Sequence, residues 1–183
     1  INVGARYKEY FIDGKVPPLS LKIVYWLCNQ LVLKNIKKLL GLNNCRYGLS
    51  GAAPISPELI NWYLSIGIDM REGWGMTETS GVGTAFYSRE IKLGHVGRAV
   101  NDSEIRIADD GEILFKGPGV FCGYLNKPEQ TKETLKDGWL HTGDVGEMDN
   151  YGNIKITDRK KDIIITAGGK NISPSEIENE LKF

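Results

Sequence analysis

The period of hydrophobic and polar positions changes near residue 94. Before that point, apolar residues recur at helical spacing or stand in short runs. From residue 20 to 40 a stripe of Ile23, Trp26, Leu27, Leu31, Ile36, Leu39 and Leu40 predicts an amphipathic helix that stops at Gly41. Lys34, Lys37 and Lys38 fall in its last turns, where cations suit the partial negative charge of a helix C-terminus. Residues 1–19, with Pro17-Pro18, lack a clear period and read as loop. Cys45 to Ser50 reads as a short strand leading into Gly51-Ala52-Ala53-Pro54. Ser56-Pro57-Glu58 supplies a capping hydroxyl, a proline for the first helical position and an early acid, so a helix opens there and ends near Gly67. Ile68 to Arg71 is the next short strand, followed by Gly73-Trp74-Gly75. This order is that of a parallel α/β sheet, with ligand loops at the strand ends.

Beyond residue 94 the period is two. Glu104 to Ile107 and Glu112 to Phe115 alternate about Asp109-Asp110-Gly111, a hairpin pattern. Val145 to Met148 and Ile154 to Thr157 do the same about Asn150–Asn153. Lys127-Pro128-Glu129 opens a short helix between them, ending before Gly138. Asp158 to Asp162 is a charged joint, Ile163 to Ile165 a short buried strand and Ala167 to Lys170 a turn. Ser173 and Glu176 have the spacing of a capping box for a last helix. The expected class is α/β. Residues 1–93 form an α/β subdomain, 94–157 a β-rich subdomain, 158–162 a hinge, and 163–183 the start of a further domain. The chain starts at Ile1 without a Met and stops at Phe183 inside a predicted helix, so a piece of a longer protein is expected.

Composition narrows the function mainly by exclusion. The 23 basic and 23 acidic residues cancel, which gives a nucleic-acid partner no electrostatic support. The 22 glycines gather at turns without a repeat, against a fibrous or linker role. Cys28, Cys45 and Cys122 lack C-x-x-C spacing, and His95 and His141 stand alone. Neither a disulfide framework nor a zinc site follows. Three buried small hydrophobes in a reducing, cytoplasmic setting fit best. The longest apolar stretch, Leu21 to Leu33, is broken by Lys22, Asn29 and Gln30 and is too short to span a bilayer. The basic amphipathic helix around it could rest on a membrane surface. Packing on a core is the preferred reading.

Two stretches carry side chains suited to a nucleotide. The run Asp137–Gly146, continued by Thr157-Asp158-Arg159-Lys160-Lys161, sets the carboxylate of Asp144 and the guanidinium of Arg159 on either side of a β-turn-β stretch. The first accepts hydrogen bonds from a sugar diol and the second donates to a phosphate. Trp74-Gly75-Met76-Thr77-Glu78-Thr79 follows a predicted strand and offers an aromatic face, a hydroxyl and a hard oxygen ligand of the kind Mg2+ takes. By composition alone, a glycine-rich loop with a buried Trp and an exposed acid fits as well. Lys160-Lys161 alone reads as a solvated charge run.

Four motifs in one order resemble the adenylate-forming superfamily of acyl-CoA synthetases, amino-acid adenylation domains and beetle luciferases. The Asp137–Lys161 run looks like the fatty-acyl-CoA synthetase signature. It departs at Val145, Met148, Asn150, Ile154 and Thr157, changes a strand or turn tolerates. The resemblance implies a piece of the family's large N-terminal region plus the start of an α+β C-terminal lid. It gives Gly51, Ala52 and Ala53 a place beside adenine, and Trp74 and Gly75 the aromatic motif that packs on the base. Thr77 would contact phosphate or the acyl carboxylate, Glu78 would hold Mg2+, Asp144 the ribose hydroxyls, and Arg159 the ribose or α-phosphate. Lys161 would be the hinge of the lid, and Gly168 and Gly169 part of the loop that serves thioester formation. The implied substrates are ATP, a fatty acid and CoA, and the implied location is cytoplasmic, with peripheral membrane contact open. The family's upstream phosphate loop and downstream lid lysine are missing, so this chain alone is not expected to adenylate efficiently. The alternatives are a ligase for aryl or other carboxylic acids and a non-catalytic nucleotide-binding module.

Overall fold

The computed structural model describes residues 1–87, 91–100, 102–162, 164–165, 171–172, 174, 177 and 181. The fold is α/β. By contacts the chain divides into two compact units, residues 1–72 with 86–94 and residues 73–85 with 95–183.

The first unit holds α1 (Asn2–Ile12), α2 (Leu19–Cys28), a π-helical turn (Asn29–Leu33), α3 (Lys34–Leu39), β1 (Tyr47–Ser50), α4 (Pro57–Ser65) and β2 (Asp69–Glu72). β1 and β2 pair in parallel, from Tyr47 opposite Asp69 to Ser50 opposite Glu72, with α4 as the crossover that a parallel pair requires. The Ser56 hydroxyl accepts the Leu59 N–H at 3.1 Å, and Pro57 and Glu58 occupy the first turn as the sequence predicts. Ile60 and Leu64 of α4 form a core with Ile91, on which Phe11, Ile12 and Met70 pack. Leu33, Ile66 and Ile68 form a second core.

Two expectations fail here. Residues 2–12 form a helix rather than a loop. Tertiary contact decides this: a Cβ at Gly4 would collide with the Ser65 carbonyl, so α1 lies directly on the end of α4. Tyr7 also stacks on Tyr25 with ring centroids 4.1 Å apart. The stripe expected to face a core is largely exposed, with Trp26 at 59%, Leu31 at 71% and Leu39 at 87%. The π turn explains the misreading. One inserted residue rotates everything after it by about 100°, so a 3.6-residue stripe no longer stays on one face. Leu33, outside that stripe, is buried instead. Among the described residues no helix is long and apolar enough to cross a membrane.

The second unit carries the short antiparallel pair β3 (Thr84–Ala85) and β4 (Arg98–Ala99). Its main sheet consists of β5 (Glu104–Ile107), β6 (Glu112–Lys116), β7 (Leu135–Lys136), β8 (Trp139–Met148) and β9 (Ile154–Arg159). The order is β5-β6-β8-β7, with β9 also on β8, and every pairing is antiparallel. Both predicted hairpins form, and α5 (Pro128–Thr134) opens where Pro128 predicts. β8 starts six residues before the expected Val145, because its first half pairs with β6 and β7. Trp74, Ile113, Phe115, Leu140 and Ile154 make the core. Residues 73–85 belong with this unit rather than with the α/β part. The Trp74 ring lies in its core, and the Trp74 carbonyl accepts the Gly83 and Thr84 N–H groups at 2.8 Å. β10 (Ile164–Ile165) pairs with β11 (Asn171–Ile172). Ile163, the turn at 167–170 and the Ser173 and Glu176 capping box lie outside the described residues.

The α1–α4 contact yields a test. Gly4→Val is expected to lower unfolding free energy by about 2 kcal/mol, the usual cost of overpacking. An unchanged denaturant midpoint would mean that α1 is not docked in solution.

Candidate functional site

The alternation of β8 turns Leu140, Thr142, Asp144 and Gly146 inward. Between Thr142 and Asp144, Gly143 has φ +72, a conformation that residues with a side chain seldom adopt. Asp144 is thereby a carboxylate at 5% exposure. Its Oδ2 accepts the Trp74 indole N–H at 2.8 Å. Its Oδ1 pairs with Arg159 Nε at 3.1 Å, and the two residues stand directly opposite each other between β8 and β9. The Asp144 N–H is held by the Thr142 hydroxyl at 3.1 Å, and that hydroxyl donates to the Ile113 carbonyl at 2.7 Å. A carboxylate offers about four acceptor positions. Two are filled, so a diol can still be received. Arg159 keeps more than half of its side chain exposed, with donors left over for an anion.

The Trp74 ring is buried. Phe115 lies against it with centroids 6.1 Å apart, and the Gly83 backbone approaches so closely that a Cβ would fall 2.8 Å from the ring. The ring therefore offers little face for a base, and its observed contact with the site is the hydrogen bond to Asp144. A Cβ at Gly75 would strike the Gly81 carbonyl, which keeps the loop tight. Thr77 and Glu78 follow on a single 3-10 turn closed by the Thr79 hydroxyl, which receives the Met76 N–H at 3.0 Å. Thr77 is exposed and Glu78 half-buried.

Glu78 has a partner that the sequence reading missed. The Tyr124 hydroxyl donates to Glu78 Oε1 at 2.7 Å. Nearby, the Phe121 N–H donates to the Glu78 carbonyl at 2.9 Å and the Ser80 hydroxyl to the Gly119 carbonyl at 2.8 Å. Residues 119–124 thus strap the loop. Burial, and then the Glu78 carboxylate, push the Tyr124 hydroxyl up, which keeps it a donor. No hydrophobic period marks this stretch, so nothing short of the fold pairs it with Glu78. Glu78 suits Mg2+, which binds through one or two carboxylates and completes its shell with water and phosphate oxygens. Among the described residues no group of three or more His, Cys, Asp or Glu could hold a metal on its own.

The other expected site residues separate by unit. Gly51, Ala52 and Ala53 are exposed in the first unit, after β1, with Ala52 at φ +65. Glu72, at the end of β2, accepts the backbone N–H of Ile55, just after that loop, and of Gly94. Its Oε2 is buried without a partner among the described residues, and burial pushes the carboxyl up to about 7. Lys161 is exposed. Lys160 is exposed but ion-paired: its Nζ lies 2.7 Å from Asp110 and 3.0 Å from Glu112. Gly168 and Gly169 lie outside the described residues.

Glu72 gives a pH test. Its folded value, about 7, lies above the ordinary 4.5, so its stabilising contribution is full below 4.5 and is lost as pH rises through 7. Glu72→Gln keeps an acceptor and removes the charge. The variant should melt higher than the parent chain at pH 8, with the gap closing toward pH 4.5. A gap independent of pH would rule out the raised value.

The sequence profile described as AMP-binding enzyme matches residues 16–125. The chain is 46% identical over 182 residues to fadD11 of Mycobacterium tuberculosis, provisionally named a fatty-acid–CoA ligase, covering 99% of this chain and 32% of that protein. It is 42% identical over 170 residues to the long-chain-fatty-acid–CoA ligase FadD15 of Mycobacterium bovis, covering 93% of this chain and 28% of the relative. Among solved structures, O-succinylbenzoate coenzyme A synthetase (MenE) of Bacillus subtilis, in complex with ATP and magnesium ion, superposes with a TM-score of 0.70 at 34% identity. That match covers 80% of this chain and 34% of that one. The chain thus spans about a third of the length of the curated relatives it matches.

Proposed function

We propose a function from one premise: this chain belongs to the AMP-binding enzyme family. It is part of an ATP-dependent ligase that activates a carboxylic acid, foremost a long-chain fatty acid, as an acyl-adenylate and passes the acyl group to CoA. The observation that carries this is the buried Asp144 carboxylate, held by Trp74 and Arg159 with acceptor capacity to spare. A pre-oriented acceptor beside a cation suits a ribose and its phosphate.

In the first step a carboxylate oxygen of the acid attacks the α-phosphorus of ATP, the bond to pyrophosphate breaks, and acyl-AMP remains. In the second the CoA thiolate attacks the acyl carbon and AMP leaves. For this chain, catalysis is mostly positioning and charge stabilisation. Asp144 accepts from the ribose hydroxyls and Arg159 donates to ribose or phosphate. The Thr77 hydroxyl donates to a phosphate or carboxylate oxygen, with Gly75 keeping the loop narrow. Gly51, Ala52 and Ala53, with no side chain or only a methyl, let the backbone come close to the base. Glu78, oriented by Tyr124, would hold Mg2+, which would neutralise charge on the phosphates. Lys161 is the hinge between the two steps, and Gly168 and Gly169 serve the second. Binding energy spent on the adenosine helps align the distant reacting centre.

The long-chain acid is favoured by the fatty-acyl signature and by the names of the two mycobacterial relatives. An aryl acid is the second reading, favoured by the match to the O-succinylbenzoate enzyme. A cytoplasmic enzyme agrees with the unpaired cysteines, and the exposed apolar side of α2 is compatible with peripheral membrane contact.

The test is ATP–pyrophosphate exchange by the full-length protein with acids from acetate to palmitate. Exchange is expected with long chains. Exchange with aryl acids alone would replace the substrate, and intact ATP binding without exchange would leave a non-catalytic module. Asp144→Ala is expected to weaken ATP binding roughly 10- to 100-fold, the worth of hydrogen bonds to a charged group. Glu78→Ala should lower exchange more than AMP affinity. Unchanged ATP affinity in Asp144→Ala would refute the ribose assignment.

A further inference from the structure

We propose that Glu112 is a positioning residue for Asp144, fixing the Thr142-Gly143-Asp144 turn from behind and tying it to the residue beside the Lys161 joint. The inference rests on the reading of Asp144 as the ribose acceptor.

Glu112 opens β6 and is 5% exposed. A carboxylate so buried stays ionised only when donors surround it. Three do. The Gly143 N–H donates to Oε1 at 2.9 Å, His141 Nδ1 lies 3.1 Å from Oε2, and Lys160 Nζ donates to Oε2 at 3.0 Å. Burial pushes the carboxyl up, but these donors outweigh it and hold the group below its ordinary range.

The placement of the donors matters more than their number. His141 and Gly143 precede Asp144 on β8, and Lys160 follows Arg159 at the end of β9. One carboxylate therefore grips both strands that bear the Asp144–Arg159 pair. The grip falls where the ladder cannot help. The β6–β8 register shifts between Glu112 and Leu114, and Gly143 stands there at φ +72. Its N–H goes to the Glu112 side chain instead of a strand partner, and its carbonyl receives the Lys160 N–H at 2.8 Å. Without Glu112 that N–H loses its acceptor, and the turn that aims Asp144 loses its anchor. Lys160 completes the tether and is itself steadied by Asp110 at 2.7 Å.

The test compares AMP with 2′,3′-dideoxy-AMP, which lacks the diol, by calorimetric titration of the full-length protein. The wild type is expected to prefer AMP, and Asp144→Ala to abolish the preference. Glu112→Gln keeps one oxygen for the Gly143 N–H but turns an NH2 donor toward His141 and Lys160, which breaks the tether to β9; it should cut the preference about tenfold, the coupling expected of residues in one network, and should add nothing in an Asp144→Ala background. A residue that only supports the fold would lower the melting temperature and leave the preference intact. Lys160→Met removes the tether from a half-exposed position and should cut the preference by a few fold, which keeps the test alive if Glu112→Gln does not fold. If Asp144→Ala abolishes the preference while neither Glu112→Gln nor Lys160→Met changes it, the positioning role is wrong and the ribose reading stands. If the wild type binds both nucleotides equally, the ribose reading falls and takes this inference with it.

Discussion

The second unit is organised around satisfying one buried carboxylate. An ion taken out of water costs several kcal/mol unless donors replace the lost hydration. Asp144 has two donors from far apart in sequence, an indole N–H seventy residues upstream and a guanidinium on the facing strand. Satisfying it fixes much else. Trp74 has to sit in the sheet core with its edge toward β8, which draws residues 73–85 out of the α/β part. β9 has to pair with β8 in the register that sets Arg159 opposite Asp144. The ion pair itself adds little stability, because Arg159 is largely solvated. Its value lies in leaving a carboxylate aimed and partly unfilled.

The loop that follows Trp74 inherits this order. Thr77 and Glu78 begin three residues after the anchored indole, and the strap at 119–124 holds their far side. A catalytic group in a loop is only as well placed as its supports, and here one support is a core aromatic and the other a tyrosine hydroxyl. One oxygen of Glu78 is thereby already oriented by the Tyr124 hydroxyl. That arrangement suits a cation bound mostly by its substrate's oxygens better than a cation caged by protein.

Local chemistry made the hairpins, the capped α4 and the α5 start legible, because each depends on residues within a few positions: Asp109-Asp110-Gly111, Ser56-Pro57 and Lys127-Pro128. The motifs likewise exposed Asp144, Arg159, Thr77 and Glu78 as candidates. What stayed hidden depends on contacts that period does not encode. α1 exists because Gly4 allows close approach to Ser65, the helix around residue 30 changes phase at a π turn, and Trp74 is a core residue whose N–H, rather than its face, is in use. Tyr124 reaches Glu78 across 46 positions, and Glu112 reaches His141, Gly143 and Lys160 across 29, 31 and 48, with no motif to announce them.

Three carboxyl groups show how environment divides labour among identical chemistry. Glu112 has three donors and is held ionised, so it can act as a fixed anchor. Asp144 has two side-chain donors and room for more, the condition of a binding group rather than a purely structural one. Glu72 has backbone donors on one side and an orphaned oxygen on the other, and burial lifts it until it is partly protonated near neutrality. A cationic donor separates Glu112 from Glu72: Lys160 reaches Glu112, while backbone N–H groups serve Glu72. Glu112 and Asp144 are equally buried, at 5%, yet three donors of the fold converge on Glu112 and two side-chain donors on Asp144.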